Sequence, residues 1–121
     1  MNDRYKDNLI LNLTIAFSLS IIEYAEHLEE SKKFVVSKQV LRSGTSIGAN
    51  AVEAQNAESH RHFISKFKIY IREADETHYW LTLCQKSKSY PNPPEELFDQ
   101  LTSIIKVINK IIATTVGKKL A

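Results

Sequence analysis

Arg72 and His78 are a pair in this 121-residue chain whose side chains could carry out a hydrolysis. A histidine can take a proton from a ribose hydroxyl, and an arginine can stabilise the charge that builds on a phosphorane. Two other spacings suit metal ligands on a helix, Asp75-x-x-His78 and Glu23-x-x-x-His27. A di-iron bundle needs more: Glu-x-x-His on each of two helices and further glutamates on the others. That set is missing, and no nucleophile accompanies any of these residues. From the residues no catalytic residue and no metal site is assigned. The four histidines are expected at the surface or the edge of a core.

Arg72-Glu-Ala-Asp-Glu-Thr-His78 matches the loose arginine–histidine spacing of helical-bundle ribonucleases in some toxin systems, so ribonuclease activity stands as the minor reading. A basic surface is the stronger signal. Arg61, Lys68 and Arg72 fall near one face of a helix, with Lys66 to the side, and Lys38 and Arg42 add charge from the helix before it. These residues, with Tyr70, His60 and His62 to stack on bases, are the candidates for contacting RNA or DNA. Glu73, Asp75 and Glu76 dilute the charge, and Arg72 and Glu76 have the spacing of an ion pair. A net charge of +2 specifies no partner by itself. Asn50, Glu53, Glu73 and Glu76, together with Arg42, read as a structural polar network that ties two helices together or bridges subunits. Trp80, Tyr79 and Tyr70 read as packing or interface residues.

These residues must sit on long helices. With three glycines and three prolines, the latter confined to Pro91–Pro94, little interrupts helical periodicity. Helices are expected at about 7–29, 36–57, 60–88 and 95–116. The first has a core stripe at Leu9, Leu13, Phe17, Ile21, Tyr24 and Leu28. A second apolar face, at Leu11, Ile15, Leu19 and Ile22, is suited to another subunit. Glu30-Ser31-Lys32-Lys33 breaks the pattern. Ser59 is the expected N-cap of the third helix, and Pro94-Glu95-Glu96 opens the fourth, which Gly117 with Lys118 and Lys119 should stop. The sum is an all-α, antiparallel up-and-down four-helix bundle in one domain, 1–121.

Small residues fill the stretch from Ser43 to Ala51 on the second helix, where Gly44 and Gly48 each give up about 0.8–1 kcal/mol of helix propensity. A close helix–helix contact is the reason a sequence tolerates this, and the third helix, with its large residues, is the expected partner. Cys84 is the single cysteine, which excludes an internal disulfide and suits a reducing cytoplasm. The uncharged run Leu9–Ile22 is too short for a membrane span of about 20 residues and is expected to be soluble core.

The segments Gln39-Val-Leu-Arg-Ser-Gly-Thr-Ser-Ile-Gly-Ala-Asn50 and Asp75-Glu-Thr-His-Tyr-Trp-Leu81, with Phe63-Ile64 and Arg72-Glu73-Ala74 between them, carry a family resemblance. The chain resembles the bacterial four-helix-bundle family first noticed in intervening sequences of 23S ribosomal RNA genes. The accessory variability protein of diversity-generating retroelements looks like a relative. Two positions depart from the pattern: Ala54 follows Glu53 where members often have glycine, and His78 stands where an apolar residue is usual. The resemblance implies a four-helix bundle assembled as a ring-like homopentamer, with no established enzyme activity and no cofactor. Its retroelement relative is associated with a reverse transcriptase and with RNA through a basic surface. The expected partners are therefore further copies of the chain, RNA or DNA, or another protein.

Overall fold

The computed structural model describes residues 6–120, with side chains through Gly117. Four helices form: α1 Leu9–Glu30, α2 Phe34–Ala54, α3 His60–Lys86 and α4 Glu95–Leu120. Each packs on its chain neighbours, and α1 closes the ring against α4, which is the arrangement of an up-and-down four-helix bundle.

Local chemistry sets the helix ends. The Asn8 side chain accepts from Leu11 N–H, and the Ser59 hydroxyl accepts from His62 N–H, each satisfying a donor that the first turn leaves free. Glu95 and Glu96 lie in the first turn of α4, where the helix dipole favours acids. α1 ends with Lys33 N–H bonded to Leu28 C=O and Lys32 N–H bonded to Glu29 C=O, both at 2.8 Å. This Schellman closure puts Lys32 at φ 62°, in the left-handed region that usually calls for glycine. The connection between α3 and α4 is held inward by the Tyr24 hydroxyl, which donates to Pro91 C=O at 2.6 Å.

The core is built from Phe17, Ile21, Leu28, Val40, Ile47, Phe67, Tyr70, Leu81, Leu97, Leu101, Ile104 and Ile108, all essentially inaccessible. Phe63, Phe67 and Tyr70 stack edge to face along α3, at 4.6 and 4.7 Å between centroids. Four polar residues are buried with them, and each spends its hydroxyl on a backbone carbonyl. Thr14, Ser43 and Thr77 bond within their own helix, whereas Ser37 on α2 donates to Ala25 C=O on α1 at 2.8 Å.

Several expectations are corrected. The glycines of α2 face α1 and not α3. A Cβ at Gly44 would stand 2.9 Å from Ile21, and one at Gly48 3.3 Å from Thr14. Leu9 is 59% exposed instead of lying in the core stripe, and Leu11, from the second face, is fully buried. α4 runs through Gly117, which has ordinary helical φ and no side chain nearby. α1 continues to Glu30 and is long and apolar enough, at 22 residues and mean hydropathy 1.4, to cross a membrane. Ile10, Phe17, Ile21, Tyr24 and Leu28 of this helix are buried within the bundle, whereas Leu9, Ile15, Leu19 and Ile22 are exposed.

Candidate nucleic-acid interface

Arg61, Lys68 and Arg72 are all exposed on the outer side of α3, spaced by seven and four residues along one row. Lys38 is exposed on the outer side of α2, away from that row. None of the four makes an ion pair or a hydrogen bond among the described residues. The ion pair suggested by the spacing of Arg72 and Glu76 does not form.

Arg42 behaves differently. Its guanidinium reaches across to α3, pairing with Glu76 through Nη2 and lying 3.6 Å from Glu73 Oε2 through Nη1. Gln39 Oε1 accepts from its Nε and Nη2 at 3.2 Å. Glu76 also accepts the Trp80 indole N–H at 3.0 Å. Arg42 is thus committed to holding α2 and α3 in register, and its charge is neutralised there. Glu73 Oε2 is enclosed without a hydrogen bond, so Arg42 is its compensating charge.

The remaining polar candidates lie outside that network. Glu53 pairs with Lys66 at 2.8 Å, one more antiparallel tie between α2 and α3. Asn50 donates to Ser46 C=O at 2.8 Å on its own helix and shares no hydrogen bond with an arginine or glutamate among the described residues. Tyr70, a stacking candidate from the sequence, is fully buried, and burial followed by the nearby Glu53 charge pushes its hydroxyl well above the usual tyrosine range. His60 and His62 are exposed at the start of α3.

The arginine and histidine of the minor ribonuclease reading do not converge. Six residues along a helix turn them about 120° apart. His78 leans toward α4, its ring 5.6 Å from Phe98, while Arg72 points outward. No group of three or more His, Cys, Asp or Glu side chains stands together among the described residues as metal ligands would. Cys84 is buried against Tyr24, where burial raises its thiol pKa and holds it in its neutral form.

Two apolar features remain. Between α1 and α2 runs a groove of about 240 Å³ lined by Ile15, Leu19, Gly48, Ala49 and Val52 among others. Ile15 and Leu19 in its wall are 42% and 61% exposed, and Ile22 and Leu41 on the same two helices are 39% and 37% exposed. At the end of the bundle a cleft of about 640 Å³ lies between α1, α3 and α4, walled by Leu9, Phe63, Phe67 and Ile111, with Lys110 the one charged residue among the described residues that line it.

Three relations of Tyr79, Gln39 and Trp80 add to the sequence reading of packing or interface aromatics, which Trp80 fits by packing against the core. Tyr79 is 58% exposed and continues the Arg61–Lys68–Arg72 row, a relation readable from its seven-residue step beyond Arg72. The Glu76–Trp80 bond follows from their four-residue step, and the Gln39–Arg42 bonds from their three-residue step.

Residues 6–113 match the model of the family described as 23S rRNA-intervening sequence protein. A crystal structure of a protein of unknown function from the S23 ribosomal protein family of Bacteroides thetaiotaomicron is similar to this chain. The two are 40% identical with a TM-score of 0.80, over 85% of this chain and 97% of that one. No curated protein matches.

Proposed function

The chain belongs to the 23S rRNA-intervening sequence protein family, and from that premise we propose that it is a non-catalytic, cytoplasmic homo-oligomer that binds RNA or DNA along the outer side of α3. The observation that carries the binding is the division of the cations. Arg42 and Lys66 are spent on Glu73, Glu76 and Glu53, whereas Arg61, Lys68, Arg72 and Lys38 are left to solvent. Nothing in the packing needs those four charges. Unpaired exposed cations in a row attract a phosphate backbone by releasing its counterions.

The strip between α1 and α2 supports assembly. Leu9–Ile22 and Ser43–Val52 contain no charged residue, yet Ile15, Leu19, Ile22 and Leu41 are exposed. Contiguous apolar surface of this kind fits a protein contact. A ring needs a second, different patch to receive it. Val35, 76% exposed at the start of α2, and Leu83, 41% exposed near the end of α3, are the candidates for one. A pentameric ring, which the family resemblance favours, would repeat the basic row five times and raise a modest local field to a strong one.

Light-scattering chromatography of the purified chain, alone and with structured RNA at low and moderate salt, tests both parts. Expected is an assembly that co-elutes with RNA at low salt and releases it as salt rises. Lys68→Glu with Arg72→Glu should abolish that co-elution and leave the assembly intact. Leu19→Glu should give a folded species of lower mass. An assembly that never shifts with RNA would replace this reading with a scaffold for a protein partner. A parent that elutes as a folded monomer would remove the oligomer.

A further inference from the structure

We propose that the nucleic acid carried by α3 is single-stranded and that one of its bases stacks on Tyr79, an inference resting on the binding proposed above. The row of cations ends in an aromatic ring. Tyr79 lies seven residues after Arg72, eleven after Lys68 and eighteen after Arg61, so all four side chains leave the helix on nearly the same side. At 1.5 Å per residue the row is about 27 Å long. Its three charges span about the first 16 Å, Tyr79 follows about 10 Å beyond Arg72, and the exposed Leu83 lies one turn further on.

Among the described residues Tyr79 has a ring contact with Trp80 and no hydrogen bond. Its ring is 58% exposed. The neighbouring Trp80 ring, 5.8 Å away and tilted by 59°, is tied to Glu76. The Arg42 network therefore holds the inner aromatic and leaves the outer one to solvent.

Charge then sorts the two ends of the row. Asp75 is exposed between Arg72 and Tyr79. A carboxylate there repels phosphate, so the backbone of a bound strand is held at Arg61, Lys68 and Arg72, and what reaches Tyr79 is an uncharged base. A base in a duplex has both faces covered by its neighbours and cannot stack on a side chain. An unpaired one can, and such stacking is tolerant of sequence. A single row of cations also suits one backbone.

The test uses the whole chain and three probes of equal length: a single-stranded RNA 12-mer, the same sequence as a duplex, and an abasic DNA strand. Tyr79→Ala should weaken single-strand binding about tenfold, and Tyr79→Trp should restore it. The salt dependence of binding should be the same for parent and Tyr79→Ala, because no phosphate contact is lost. The abasic strand should bind the parent as weakly as the 12-mer binds Tyr79→Ala. Equal binding of single strand and duplex by the parent, or an unchanged affinity in Tyr79→Ala, would overturn the proposal and leave the basic row standing. If Tyr79→Ala lowers the assembly's mass, Tyr79 belongs to the contact between copies and the proposal fails. If the parent binds none of the three probes, the nucleic-acid reading falls first and takes this inference with it.

Discussion

Gly44 on α2 lies against Ile21 on α1 so closely that a Cβ would stand 2.9 Å from both Cγ1 and Cγ2 of the isoleucine. Both residues are buried, and Ile21 is β-branched, so neither side has a flexible end to move away. The missing Cβ sets how near α1 and α2 approach.

Gly44→Ala is accordingly expected to lower stability by about 1–2 kcal/mol, the overpacking cost exceeding the helix propensity gained. The other glycines act as controls. Gly48→Ala meets Thr14 at 3.3 Å and should be close to neutral. Gly117→Ala meets nothing and should be neutral or slightly stabilising. Urea denaturation of the three variants gives the order. An unchanged midpoint for Gly44→Ala would show that α1 and α2 have room to part.

Lys32 presents the reverse case, a side chain where the backbone asks for none. At φ 62° it closes the end of α1, and Lys32→Gly should raise stability by about 1 kcal/mol. A fall in the thermal midpoint would mean that the lysine side chain offsets its backbone strain in some other way.

Two buried tyrosines should respond oppositely to the loss of their hydroxyls. Tyr24 donates to Pro91 C=O at 2.6 Å, so Tyr24→Phe strands a carbonyl and should cost about 1–2 kcal/mol. The Tyr70 hydroxyl is enclosed near the Ala54 backbone without hydrogen-bond geometry, and Tyr70→Phe should be neutral or stabilising. Equal losses in the two variants would contradict this difference.

The same groups predict alkaline sensitivity. Burial, aided by Cys84, raises the Tyr24 pKa, and burial also raises those of Tyr70 and Cys84. In the unfolded chain cysteine ionises near pH ~8.5 and tyrosine near ~10. Above those values the unfolded state has released protons that the folded state still holds. Stability is then fully present below about pH 8.5 and falls as pH rises, most steeply above about 10, by up to about 1.4 kcal/mol per pH unit for each group. A denaturation midpoint that stays flat from pH 8 to 11 would place these groups in contact with water.

Arg42→Ala should cost only about 0.5–1 kcal/mol, since its side chain is 49% exposed and its ion pairs are screened. Its clearer effect is on Trp80, whose indole N–H shares Glu76 with Arg42; the emission maximum should shift. A spectrum identical to that of the parent would separate Trp80 from the network.

Periodicity and capping made the bundle legible. Ser59 caps α3, the acids after Pro94 open α4, and the break at Glu30–Lys33 separates α1 from α2, because each depends on a few neighbouring residues. Where an end rests on more than local preference, the reading failed. Gly117 alone does not stop α4, since glycine costs only about 1 kcal/mol in a helix interior. The candidate site was legible in part. The row Arg61, Lys68, Arg72 follows from spacing, but whether each charge is free does not, because Arg42 and Lys66 are paired by residues on another helix.

The sequence by itself determined four amphipathic helices, the Ser59 cap and acidic start of α4, and the existence of a close contact along Ser43–Ala51. Tertiary structure decided which neighbour receives that contact, α1 and not α3. It also decided which cations are neutralised and which aromatic ring stays in water. The physical reason is that helical spacing fixes directions around one axis only. A stripe of small residues looks the same whichever flank the next helix occupies, and a charge reads as free or paired only once the facing helix is in register.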